Sequence, residues 1–430
     1  MGGTIKVRGA RPLYGTVRVP AAKNSVLPLL AASLLCGGPV RLRGAPRLSD
    51  VEGCLALLRA AGCAAGWDGG DVVVTGQPSC CRLPGDEAGR MRASVLFAAP
   101  LLARLGRAET VLPGGCRIGS RPVDWHLAAL EAMGTEAAFA GQRLILTAPA
   151  GLHGAAVRLP GPSVGATETV LLAGCAARGR TVLQNAAKEP EIAELARFLN
   201  GCGADIRGAG SGEIVIEGRA GRPLRGAAYA PMPDRICAST LVCAAAAARG
   251  CVTAAGCAPG LYAPVLDILE QAGCRVLRGA DSVTIGCAGP LRGVGRLVTG
   301  GYPALATDAA PLVAAALLTA RGQTVIEDRV FEARFGCAGG FAALGAHVRV
   351  EAGGRELWIE GTGGGPLRGA ALAAGDLRGG AALAVAALAA EGESRITGCG
   401  YIDRGYPGLE AMLAAVGAQI CREMPPQALD

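Results

Sequence analysis

The stretch GLHGAAVRLPGPSVGATETVLLAGCAARGRTVLQNAAKEPEIAELARFLNGCGADIRGAGSGEIVIEG, residues 151–218, holds one copy of the motif from which the chain is built. It opens with Leu152-His153-Gly154, passes through a short apolar strand, and enters an Ala- and Leu-rich helix from Thr167 to Ala177. Gly179 stands before a second β-like run, Thr181-Val182-Leu183. A second, amphipathic helix ends at Gly203, where a left-handed C-cap suits a residue without Cβ. Two short strands close the stretch. The last, Glu213-Ile214-Val215-Ile216-Glu217, alternates with the period of a half-buried strand, so the order is βαβαββ.

The same landmarks recur on both sides. Leu-x-Gly begins at Leu13, Leu83, Leu152, Leu224, Leu291 and Leu367. A second glycine precedes a β-like run at Gly38, Gly106, Gly179, Gly250, Gly322 and Gly392. A third follows a helix at Gly62, Gly134, Gly203, Gly273, Gly345 and Gly417, at spacings of 72, 69, 70, 72 and 72 residues. Three interleaved series sharing one period of about 70 identify six repeats of one βαβαββ element. A copy of this size with few aromatics buries too little surface to stand alone, so copies must pack together. The expected fold is α/β, with 430 residues dividing into two domains of three repeats each. No G-x-G-x-x-G follows a first strand and no P-loop sequence is present, which argues against a doubly wound nucleotide fold.

Composition narrows the function classes. Apolar residues make up 51% and charged residues 18%, which excludes a disordered chain. An uncharged apolar stretch such as Ile236 to Ala248 falls short of the roughly 20 residues of a membrane span. Met1-Gly2-Gly3-Thr4-Ile5-Lys6 lacks the apolar run of a signal peptide, and the expected location is the cytoplasm. The 17 cysteines include no C-x-x-C pair and accompany only three histidines, His126, His153 and His347. Most of them read as small buried hydrophobes in a reducing compartment rather than as a disulfide or zinc framework, with at most one or two left for chemistry. The net charge is +7, but the basic residues form no runs and aromatics do not interleave with them, which disfavours nucleic acid. A small anionic substrate fits better. Of 42 basic residues only Lys6, Lys23 and Lys188 are lysines, so a lysine marks a place for a compact ammonium.

Chemistry is expected where the repeats differ. Ala21-Ala22-Lys23-Asn24-Ser25 opens a helix and reads either as an anion site beside an ammonium or as an ordinary Asn/Ser cap. A Gly-rich basic loop follows Leu112, and Cys116, between glycines and near Arg117 and Arg121, is expected to have a lowered pKa. Other polar islands are Met91–Ser94, Pro162–Thr167, Lys188–Glu191, Pro233–Arg235, Thr307-Asp308, Phe331–Arg334, Asp376–Arg378 and Ile402–Tyr406. Singly, each reads as a salt bridge or cap; together they supply cations, carboxylates and a thiol for phosphate-bearing substrates.

Lys23-Asn24, PGGCRIGSRPVD (113–124), PSVGAT (162–167), KEPEI (188–192), PDRI (233–236), DLR (376–378) and IDRGY (402–406), set on six such repeats, resemble the enolpyruvyl transferases. Within that family they are similar to the UDP-N-acetylglucosamine 1-carboxyvinyltransferases over essentially the whole chain. The cysteine loop is the specific element, since the sister branch making 5-enolpyruvylshikimate 3-phosphate shares the repeats but not the loop. The resemblance implies two inside-out α/β barrel domains, 22–232 and 1–21 plus 233–430, with the site in a cleft that closes over substrate. It implies transfer of the enolpyruvyl group of phosphoenolpyruvate to the 3′-hydroxyl of UDP-N-acetylglucosamine, the first committed step of peptidoglycan precursor synthesis, with no cofactor or metal. By motif, Lys23, Arg121 and Arg404 would clamp phosphate and carboxylate. Cys116 would act as the general acid or assist product release and would be the nucleophile trapped by fosfomycin, and Asp308 would be the base. Asn24, Arg92, Pro122, Val123, Asp124, Trp125, Ser163, Val164, Gly165 and Val330 would contact the nucleotide sugar, with Arg334 and Arg378 supporting closure or binding.

The chain departs from the family pattern at four places. Gly161 stands where some members have lysine, and Cys237 follows PDRI in place of glutamate. ATDAAPL surrounds Asp308 without the expected proline and glutamine, and Gly379-Gly380 follow DLR. Two further readings stay open on these grounds: a non-catalytic UDP-sugar-binding regulatory protein, and an enolpyruvyl transferase for another nucleotide sugar.

Overall fold

The computed structural model describes residues 3–114, 118–119 and 122–424. Contacts gather the chain into two compact units: unit 1, Met1–Pro20, Cys116–Ser120 and Pro233–Asp430, and unit 2, Ala21–Gly115 and Arg121–Met232. Each is α/β with helices inside and sheets outside. The inner helices of unit 2 are α1 (Lys23–Ser33), α2 (Ala98–Leu105) and α3 (Val164–Ala176). Those of unit 1 are α4 (Arg235–Ala247), α5 (Ala310–Leu317) and α6 (Leu377–Ala387), which pack on one another. Every residue of α4, α5 and α6 is buried, as is all of α1 except Asn24. Helices that are apolar all round have no face for water and must be interior, and their alanines let the backbones approach closely.

Residues 151–218 fold in the expected order. Ala156–Arg158 leads through α3 to Arg180–Gln184, which lies parallel to it with Val182 opposite Ala156. The helix Pro190–Gly201 then leads to Asp205–Arg207 and Glu213–Glu217, both antiparallel additions. Gly203, just past that helix, has φ +102°, the left-handed conformation expected of it. The other repeats give comparable sheets, three main ones in each unit among the described residues.

The second repeat is the irregular one. Its first strand shrinks to a single bridge between Arg82 and Glu109, and its first helix breaks into Gly85–Arg90, a 3₁₀ segment Arg92–Phe97, and α2. Unit 1 is irregular in chain order instead. Thr4–Arg8 lies between Glu393–Thr397 and Gln419–Glu423, while Tyr14–Arg18 runs parallel to Cys251–Ala255. Two sheets of unit 1 therefore depend on strands from the first 20 residues.

The thiol expectation holds for most cysteines and fails for one pair. Ten described cysteines are buried and free, but Cys274 and Cys287 form a disulfide. Arg275 faces Gly286 across the Arg275–Arg278 and Ser282–Gly286 hairpin, so the two cysteines are the next residues in register. That pairing comes from strand geometry and has no motif to announce it. No helix of the described residues is long and apolar enough to cross a membrane.

Candidate active site

In unit 2 the polar residues sit at helix starts. Lys23 opens α1 after Ala22, which is extended and provides no side-chain cap, so the Asn/Ser cap reading does not hold. Lys23 is buried, and its Nζ lies 2.6 Å from Oδ2 of Asp50 in the helix Ser49–Ala60, itself buried. A carboxylate at this distance pairs with the nearly dry ammonium and fixes its place. α1 packs on the 3₁₀ segment carrying Arg92, whose Nη2 donates to the Pro122 carbonyl at 2.6 Å. Val123 precedes the helix Asp124–Ala132, and Ser163 caps α3 by accepting from the Ala166 N–H at 3.3 Å.

His126 ties these two helices together. Its Nδ1 lies 2.8 Å from Thr169 Oγ1 on α3, and burial, then the nearby Arg92, push its pKa down to about 3. It is a neutral structural histidine. A Cβ on Gly165 would lie 2.9 Å from the His126 ring, so the contact requires glycine there. Trp125, 37% exposed, lies over Gly161, where a Cβ would stand 3.5 Å from the indole. Arg92, Pro122, Val123, Asp124, Trp125, Ser163, Val164 and Gly165 are thus brought to one end of this helix pair, where the N–H groups of two helix starts favour an anion.

In unit 1 three helix starts carry the charges. Asp234 caps α4, accepting from Ile236 and Cys237 at 2.8 and 3.0 Å, and Asp376 caps α6, accepting from Arg378 and Gly379 at 2.9 and 3.0 Å. Arg235 and Arg378 consequently fall in the first turn, a position the macrodipole disfavours for a cation. Asp308 lies just ahead of α5. Its Oδ1 accepts from Arg334 Nη2 and its Oδ2 from Arg378 Nε, each at 3.0 Å. Burial alone would raise the Asp308 pKa, but Arg378 and Arg334, with Arg235 further off, outweigh it and hold the carboxyl well below the usual range. Arg378 Nη1 is buried without a hydrogen-bond partner among the described residues. An unpaired guanidinium N–H of this kind is a hydrogen-bond donor suited to an anion.

Val330 is exposed and held by its N–H to Asp328 Oδ1 at 2.9 Å. Arg404 sits on the turn after Cys399–Ile402. The neighbouring Gly405 packs on Leu377, and Tyr406 lies under the Arg378 guanidinium at 5.6 Å. Cys237 is buried 3.9 Å from the Gly405 carbonyl, and burial, then Asp234, push its thiol up, so it is inert. Cys116 and Arg121 lie outside the described residues. Sequence reasoning missed Asp50 and Asp328, and named Arg235 and Thr307 only as members of polar islands. Asp50 pairs with Lys23, 27 residues away, and Asp328 meets Thr307, 21 residues away, so neither link has a local signal. Among the described residues no group of three His, Cys, Asp or Glu side chains gathers to hold a metal.

The family model for EPSP synthase (3-phosphoshikimate 1-carboxyvinyltransferase) matches residues 7–413. The UDP-N-acetylglucosamine 1-carboxyvinyltransferase 2 of Caldanaerobacter subterraneus subsp. tengcongensis is 40% identical over 423 residues, covering 98% of this chain and 100% of that protein. The crystal structure of the enolpyruvyl transferase NikO from Streptomyces tendae has a TM-score of 0.87 at 28% identity, covering 99% of this chain and 100% of NikO. An EPSP synthase structure from Acinetobacter baumannii shares the fold with a TM-score of 0.74 at 20% identity, covering 98% of this chain and 100% of that one. A match over nearly the full length, on six repeats with buried arginines gathered at helix starts, means that the chain belongs to the EPSP synthase family of enolpyruvyl transferases.

Proposed function

We propose that this protein transfers the enolpyruvyl group of phosphoenolpyruvate to the 3′-hydroxyl of UDP-N-acetylglucosamine and releases phosphate, the first committed step of peptidoglycan precursor synthesis. Full-length similarity to relatives of that name carries the reading. It also favours an enzyme over a non-catalytic sugar-nucleotide binder. The two compact units serve as the two domains of the enzyme, and the cytoplasm is its place of action.

Phosphoenolpyruvate carries about three negative charges, so catalysis depends on cations placed in advance. Lys23, Arg121 and Arg404 hold its phosphate and carboxylate. The helix starts near Arg92, Trp125 and Ser163, with Asn24 and Val330, hold the nucleotide sugar. Cys116 supplies the proton to C3, and Asp308 removes the proton of the sugar hydroxyl, whose oxygen bonds to C2. The tetrahedral phospho-ketal then loses a proton from C3 and expels phosphate, restoring the double bond. For Asp308 to work as a base its Arg378 bridge must turn toward substrate anions, since a doubly bridged carboxylate is a weak proton acceptor. No cofactor is required for these steps.

Phosphate release from phosphoenolpyruvate, measured at neutral pH with and without UDP-N-acetylglucosamine, tests the reading. Release that depends on the sugar nucleotide is expected; its absence despite sugar-nucleotide binding overturns the activity. Cys116→Ser is expected to abolish covalent labelling by fosfomycin, and stoichiometric labelling of that variant would remove Cys116 as the nucleophile.

A further inference from the structure

Beneath Asp308 lies a second carboxylate with no part in the chemistry above. Asp328 is fully buried. Its Oδ1 accepts the N–H groups of Val330 at 2.9 Å and Phe331 at 2.7 Å, and its Oδ2 accepts the Thr307 hydroxyl at 2.6 Å. The Thr307 oxygen in turn accepts from Arg334 Nε at 2.9 Å, and Arg334 Nη2 reaches Asp308. The polarity of this chain is fixed by its members. A carboxylate only accepts and a guanidinium only donates, so the Thr307 proton points to Asp328 and its lone pair faces Arg334. Arg334 is buried, packed 5.0 Å over the Phe331 ring, and has one orientation in which Nε and Nη2 satisfy Thr307 and Asp308 together.

We propose that Asp328 and Thr307 are positioning residues: they orient the Arg334 fork, which fixes where the Asp308 carboxylate stands and how firmly it is held. This rests on the proposed role of Asp308 as base. The charged groups facing Asp308 are Arg235 from α4, Arg378 from α6 and Arg334, and of these Arg334 is the one bound to the buried relay. Thr307 lies next to Asp308 in the chain, so one residue sets both the backbone approach and the arginine. Arg378, the other arm, has no tie to that relay, and its Nη1 is buried without a hydrogen-bond partner among the described residues.

Thr307→Val removes the hydroxyl at constant shape, Asp328→Asn removes the charge while keeping an acceptor for the Val330 and Phe331 amides, and Thr307→Ser restores the hydroxyl. In sugar-nucleotide-dependent phosphate release, the Val and Asn variants are expected to lose kcat on the order of 10- to 100-fold. Their KM for the sugar nucleotide should change by less than about twofold, as expected when only the reacting geometry is disturbed. The acid limb of kcat should move up by roughly one pH unit as Asp308 loses a held partner. Thr307→Ser should behave as wild type. The same upward movement should appear in the ¹³C-carboxyl titration of aspartate-labelled protein, with Asp308→Asn assigning the signal. Wild-type kcat and acid limb in Thr307→Val overturn the inference. So does a Ser variant as impaired as the Val variant when both melt like wild type. If the wild-type chain releases no phosphate the activity reading falls, and the carboxyl titration alone decides the relay: a signal that moves supports it and one that stays overturns it.

Discussion

Asp308, which is partly exposed, and Glu168, which is buried, are carboxyls treated in opposite ways. Asp308 meets two guanidinium groups and stays ionised, whereas Glu168, in α3, faces Glu191 and Glu189, and burial followed by their charge raises its pKa well above the ordinary 4.5. The folded protein therefore keeps a proton on Glu168 that the unfolded chain releases. This contribution to stability is full below about pH 4.5 and is lost as pH rises through the raised folded value. Glu168→Gln, which cannot titrate, should gain on wild type between pH 4.5 and pH 8, by about 1.4 kcal/mol for each pH unit that separates the folded and unfolded titrations. Urea midpoints at the two pH values measure it, and an equal difference at both would count against a protonated Glu168. The sequence marked KEPEI as a polar island, but not that its carboxylates face another on a different helix. Lys23 stood out as one of three lysines; its partner Asp50 did not, because acidic residues near a helix start are common.

Helix starts are the elements on which the candidate site is assembled, and their spacing is set by small residues. Gly165 in the first turn of α3 lets the His126 ring sit against the backbone, which aligns the start of Asp124–Ala132 with that of α3. Gly165→Ala gains helix propensity worth about 1 kcal/mol. It also places a methyl 2.9 Å from a buried ring, and overpacking costs about 1–3 kcal/mol. The variant is expected to melt lower than wild type and to bind the sugar nucleotide more weakly; a higher Tm would show that the ring yields freely. The βαβαββ order was legible because glycine C-caps and alternating strands are local signals. The broken helix of the second repeat was not, since Met91-Arg92-Ala93-Ser94 carries no proline or glycine to mark a 3₁₀ turn. The disulfide escaped notice for a related reason: Cys274 and Cys287 are joined by hairpin register, which spacing alone does not reveal.

At the scale of the whole molecule, unit 2 is a continuous run of chain apart from Cys116–Ser120, while unit 1 is assembled from both ends. Deleting residues 1–20 would strip one strand from each of two sheets and open unpaired edges at Glu393–Thr397, Gln419–Glu423 and Cys251–Ala255. A fragment of residues 21–232 should fold and melt cooperatively, whereas residues 233–430 alone should aggregate and be recovered when fused to residues 1–20. Size-exclusion profiles and thermal melts decide this, and a well-folded 233–430 fragment would show that those strands are dispensable. The same arrangement bears on how the protein is made. During synthesis, Thr4–Arg8 and Tyr14–Arg18 find no partners until Cys251–Ala255, and then Glu393–Thr397, have been made. At synthesis rates of about 5–20 residues per second the wait lasts on the order of tens of seconds. During it unit 2 completes its own core while the leading segment is held extended and unpaired, a nascent-chain state open to capture by chaperones.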